Sequence, residues 1–189
     1  MAYGLKPVKR VDGLPYAGAT NEYPIASGYA SDIFNGSIVT LAADGTIELA
    51  SGTGADITTN NFGGASIGAI GVFMGCEYIN AQGQLIHSQY FPASTTGTIT
   101  CKVVDDPNVV FQAQLDEAAT QAMVGANTFA TGAQAGSTAT GNSTNAFDGT
   151  VVTTVAGLRV VGLAADAGAN DVLVKFTPGA HLMTTTTGV

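Results

Sequence analysis

The sequence predicts an all-β protein, a β-barrel or β-sandwich of about ten short strands with an extended N-terminal arm. Three observations predict it. The chain carries 25 glycines in 189 residues and is rich in Thr, Ser and Asn, a composition that suits turns and strands better than helices. Short runs of alternating apolar residues recur between turn signals, and no stretch sustains the three-to-four-residue period of a helix. Trp is absent and aromatics make up 7%, so much of the apolar content is alanine, which adds little burial per residue.

Residues 1–36 read as the arm. Pro7, Pro15 and Pro24 disfavour helix, and glycines punctuate the stretch without a lasting period. Tyr3, Tyr16, Tyr23 and Tyr29 recur through it, giving apolar contact area with a polar tip. Such an arm either lies along a partner or folds back on its own domain, and the residues alone favour neither.

Residues 37–189 read as the β core. Ser37 to Ala42 and Thr46 to Leu49 flank Asp44-Gly45, the signature of a tight hairpin with Ile47 and Leu49 on one face. Residues 51–66 are Gly/Thr/Asn-rich and read as loop. Ile67 to Phe73 is an apolar strand covered on both faces, and a meander continues through Glu77–Asn80, a Gln82-Gly83 turn and Leu85–Phe91. Thr98 to Val104 places Ile99, Cys101 and Val103 on one face; after Asp105-Asp106-Pro107-Asn108, Val109, Phe111, Ala113 and Leu115 alternate again. Asp116 to Val124 suits one short helix with Asp116 as its cap. About 125–145 the residues are nearly all small or polar, a composition unable to fold by itself. That segment reads as a mobile surface loop or one ordered by a neighbouring subunit. Three further strands are expected at 150–155, 158–163 and 172–177, with Arg159 and Lys175 facing outward, before the Pro178-Gly179 turn.

Charge is scarce and lopsided. Only 11% of residues are charged and the net charge is −8, yet Lys6, Lys9 and Arg10 crowd into the first ten positions. An acidic surface repels phosphate, so a nucleic-acid partner is not expected. Nothing in Met1–Arg10 resembles a secretory leader, and no apolar run approaches the length of a membrane span. The expectation is a protein made in a cytoplasm, with neither nucleic acid nor membrane as partner. A chain this poor in charge lacks what keeps a lone domain apart from its neighbours. It is therefore expected to self-associate or to be packed in an assembly.

Catalytic chemistry finds little support. Gly64-Ala65-Ser66-Ile67-Gly68 matches the serine nucleophile elbow, and Asp171 and His181 follow in the right order. That motif needs a strand before the serine and a helix after it, whereas here a loop precedes and a strand follows. His87 lies in mid-strand, and Asp105-Asp106 sits where aspartate is the ordinary turn residue. Residues 166–171 lack the spacing of a calcium loop. Cys76 and Cys101 lie among apolar residues, as buried free thiols do, and with the two distant histidines they have no zinc spacing. No enzyme, cofactor or metal is expected.

Four blocks carry a resemblance: Met1–Arg10 (Met-Ala-Tyr-Gly-Leu-Lys-Pro-Val-Lys-Arg), Tyr23–Tyr29 (Tyr-Pro-Ile-Ala-Ser-Gly-Tyr), Phe91–Thr95 (Phe-Pro-Ala-Ser-Thr) and Val104–Asn108 (Val-Asp-Asp-Pro-Asn). Together they resemble the decoration or cement proteins of tailed-phage capsids, from cyanophages and similar aquatic phages. The resemblance covers about the first two-thirds of the chain; the last third is similar in composition only. It implies a β-rich structural virion protein on the outer capsid surface, often a homotrimer, that bridges major capsid proteins and has no active site. On that reading Lys6, Lys9, Arg10, Tyr16 and Tyr23 are the expected capsid contacts. The alternative is a carbohydrate- or receptor-binding module of fibre or adhesin type, which the missing Trp and the clustering of tyrosines in the arm disfavour.

Overall fold

A computed structural model describes residues 2–50, 68–153, 156–164 and 169–184 of the chain. Two antiparallel sheets pack together as a sandwich, and neither closes into a barrel. The strands are β1 (Lys6–Arg10), β2 (Asn21–Pro24), β3 (Ile38–Leu41), β4 (Ile47–Leu49), β5 (Gly71–Ile79), β6 (Leu85–Ser88), β7 (Ile99–Val104), β8 (Val109–Gln114), β9 (Asn127–Thr128), β10 (Leu158–Leu163) and β11 (Asp171–Phe176). The five-stranded sheet runs β1-β8-β11-β10-β9; the other runs β2-β7-β5-β3-β4, with β6 also on β5.

The hairpin of β3 and β4 forms as the Asp44-Gly45 pair dictates. Gly45 takes φ +80°, and Asp44 Oδ1 accepts from both the backbone N–H and the hydroxyl of Thr46. On β7 and β8 the two alternating sets are buried: Ile99, Cys101 and Val103 on one strand, Val109, Phe111 and Ala113 on the next, followed by Leu115.

Two apolar clusters result, and three strands serve both. Ile38, Val72 and Val104 join the cluster that the five-stranded sheet covers, with Phe111, Leu158, Val174 and Phe176. Their chain neighbours Val39, Phe73 and Val103 join a second cluster with Ile25, Ile33, Ile47 and Phe91. Alternate residues of a strand point to opposite faces, so the six-stranded sheet is lined with apolar side chains on both. It curls far enough that a parallel bridge, Ile25 to Ile47, joins β4 to the residue after β2. At the crossing of β5 and β7 a Cβ on Gly71 would overlap the carbonyl of Val104, so only glycine permits that approach.

Three expectations are corrected. Residues 1–36 are extended but are not an arm distinct from the core. β1 pairs with β8, β2 with β7, and Leu5, Ile25, Ile33 and Phe34 are buried. The segment 125–145 is ordered by its own chain. Asn127 and Thr128 form β9 against β10, and Gln134 ties the segment to the first hairpin, accepting from Ile38 N and donating to Ile38 O and Ala50 O, each at 2.6 Å. The short helix expected from Asp116 is absent: Gln121–Met123 makes one 3-10 turn, while Asp116 Oδ1 accepts from Gly149 N at 2.8 Å. Of the expected 150–155 strand, the described residues show only the bridge of Val152 to Asn127. The expected loop at 51–66 lies outside the described residues.

Candidate functional site: the outer face of the five-stranded sheet

The five expected contact residues do not share one environment. Lys6 is exposed on β1, its Nζ 4.0 Å from the centre of the Tyr3 ring. Lys9 is half-buried opposite Val110. Arg10 closes β1 and lies 3.6 Å from carboxylate oxygens of both Asp12 and Asp106. Tyr16 and Tyr23 turn inward. The Tyr16 hydroxyl donates to Ala19 O at 2.7 Å, and that of Tyr23 to Asp105 Oδ2 at 2.7 Å. Burial, then the nearby Asp105 carboxylate, raises the pKa of both phenols. Tyr16 packs against one apolar cluster and Tyr23 against the other, each partly buried.

What the sequence did not reveal is how the sheets divide the charge. Five of the six basic residues stand on strands of the five-stranded sheet: Lys6, Lys9 and Arg10 on β1, Arg159 on β10 and Lys175 on β11. The one acid on those strands is Asp171, 8% exposed, whose Oδ2 accepts from Gln112 Nε2 at 3.1 Å. Strands of the other sheet carry Glu22, Glu48 and Glu77 against Lys102.

Register places four of the cations on one face. Phe111, Val172, Val174 and Leu158 face the core, so Val110, Gln112, Leu173, Lys175 and Arg159 face away from it. Lys6 sits opposite Gln112, Lys9 opposite Val110, and Arg159 directly opposite Lys175. Like charges placed opposite each other destabilise a sheet. Arg159 Nε donates to Asn127 Oδ1 at 3.0 Å. Among the described residues the ion pairs involve Arg10 and His87, and no carboxylate lies within salt-bridge distance of Lys6, Lys9, Arg159 or Lys175. Bulges displace Val8 on β1 and Val161 on β10, leaving them 41% and 37% exposed.

The residues weighed for catalysis are not brought together. Ser66 lies outside the described residues. Asp171 opens β11, whereas His181 follows the turn beyond the far end of that strand. His181 is 1% exposed against Phe176; its Nδ1 accepts from Met183 N and its Nε2 has no partner. Burial lowers its pKa to about 4, which makes it a weak base. His87 is exposed, 3.3 Å from Glu77 Oε2. Cys76 and Cys101 face each other across β5 and β7 as buried free thiols, and burial pushes both up to about 12. Among the described residues no three His, Cys, Asp or Glu side chains gather as metal ligands, and no helix is long and apolar enough to cross a membrane.

A cleft of about 610 Å³ lies between the first hairpin and the 134–139 stretch, lined by Asp32, Phe34, Leu49 and Gln134 among others. Two of its polar side chains are engaged internally: Asp32 Oδ1 accepts from Ala93 N, and the Gln134 amide bonds the backbone of Ile38 and Ala50 and the side chain of Asn145. The Phe34 ring stacks on Tyr90 and is pressed by Gly136, leaving it 7% exposed and without a free platform for a sugar.

No protein-family model, curated protein or solved structure matches this chain.

Proposed function

We propose that the chain is a structural virion protein that decorates a tailed-phage capsid, bridging major capsid proteins on the outer surface after synthesis in the host cytoplasm. It works as a homo-oligomer, a trimer on the family resemblance, and performs no chemistry. One observation carries the reading most directly. Eight large apolar side chains stand exposed among the described residues of a chain that is only 11% charged, a surface suited to being covered by protein. The four resembling sequence blocks supply the kind of assembly. Many modest contacts repeated by symmetry would then raise the cost of opening the shell.

The test is quantitative mass spectrometry of purified particles, followed by re-addition of the purified chain to particles stripped of it. Stoichiometric recovery and saturable rebinding are expected. A chain absent from particles, or one that fails to rebind, overturns the proposal.

A further inference from the structure

The geometry points to a head-to-tail contact between copies of this chain, in which the outer face of the five-stranded sheet docks on the acidic six-stranded sheet of a second copy. It rests on the reading of the chain as an assembly protein, and adds which surfaces meet. The first argument is electrostatic. A molecule of net charge −8 gathers Lys6, Lys9, Arg159 and Lys175 on one sheet face, where Asp171 is buried and bonded to Gln112. Setting Arg159 directly opposite Lys175 costs the isolated sheet energy, and an acidic surface laid across the pair would offset that cost. The second argument is that the complementary surface exists in the same molecule. Glu22 and Glu77 flank Lys102 on adjoining strands of the other sheet, Glu22 opposite Lys102 on β7 and Glu77 opposite Thr100 with His87 3.3 Å from its carboxylate, so two carboxylates there outnumber the one lysine. The third is that the bulge residues Val8 and Val161 supply exposed apolar area on the two basic strands.

Two different surfaces meeting in this way make a heterologous contact, which closes into a ring or propagates as a filament. Polyanion binding is the competing use of a cation row. The apolar and amide side chains between the cations (Leu173 and Gln112, both half-buried) and the acidic remainder of the molecule favour a protein occupant.

Light scattering on the purified full chain tests this, at low and at high salt. Association is expected at low salt and should weaken at least about tenfold in 0.5 M NaCl. The double variant Arg159→Glu, Lys175→Glu and the double variant Glu22→Lys, Glu77→Lys should each be monomeric. Mixed together they should form a one-to-one complex, because each restores the charge the other lost. Arg159→Gln with Lys175→Gln provides a milder version, and thermal melts confirm that every variant is folded. A wild type that stays monomeric at millimolar concentration overturns the inference while leaving particle binding untouched. So does association that survives either reversal, or a folded mixture that does not pair. Retention of duplex DNA by the wild type but not by Arg159→Glu, Lys175→Glu assigns the face to polyanions and likewise overturns it.

Discussion

Gln134 is the most exacting place to test how the small-residue segment is held. Its amide uses full capacity: Oε1 accepts from Ile38 N at 2.6 Å and from Asn145 Nδ2 at 3.1 Å, and Nε2 donates to the carbonyls of Ile38 and Ala50. Ile38 and Ala50 are 2% and 4% exposed, so water is poorly placed to substitute. Gln134→Glu keeps the shape and the Oε1 acceptor but turns the donor into an oxygen facing two carbonyl oxygens. Two lost hydrogen bonds cost about 1 kcal/mol each, and the Ala50 carbonyl left without that donor adds about 1 kcal/mol at the low end, while Ile38 O keeps the Ala50 N–H at 3.0 Å. The sum is about 3 kcal/mol, equivalent to a fall in Tm of about 6–12 °C for a domain of this size. Calorimetry or far-UV circular dichroism on the full chain measures it. A Tm within about 2 °C of wild type would refute the reasoning, because the amide would then not anchor residues 125–145.

Three further outcomes follow from the packing and the titration of buried groups. Deleting residues 1–30 removes β1, β2, Leu5 and Ile25; the truncated chain should show no cooperative melt, and a native-like transition would restore the separate arm. Phe111→Ala empties a fully buried site edge-on to Phe176 and should cost about 3–5 kcal/mol in denaturant unfolding. A change below about 1 kcal/mol would show that site to be loosely packed. His181 is buried with its pKa lowered to about 4 against an ordinary value of 6.5, so the unfolded chain takes up the proton first. Its effect on stability is therefore absent above pH 6.5 and grows as pH falls to 4, to a loss of about 3 kcal/mol. His181→Gln should flatten Tm against pH in that window, and an unchanged slope would exclude His181 as the cause.

The legible parts of the fold were those whose apolar residues alternate beside a strong turn. Ile99, Cys101 and Val103, then the turn at Asp106, then Val109, Phe111 and Ala113 carry both face and register in local sequence. β1 was illegible because it has two lysines, an arginine and a proline, a composition tolerated at a sheet edge. Its partner β8 is also about a hundred residues away. The 125–145 segment hid its order for another reason: it buries Asn127, Thr128, Ser143 and Asn145, polar side chains whose placement depends on hydrogen bonds that no hydrophobic pattern announces. The same gap concealed the basic face. Lys6 and Lys9 are visible as a cluster near the chain start, but Arg159 and Lys175 join them only through the pairing of β8, β11 and β10.

The three strands shared by both apolar clusters have a consequence for how this molecule fails. Because Ile38 and Val39, Val72 and Phe73, and Val103 and Val104 send adjacent side chains into opposite clusters, neither half of the sandwich can melt while the other keeps its lining. Injury to either cluster should therefore be felt by the other, and the described strands are expected to melt in a single transition.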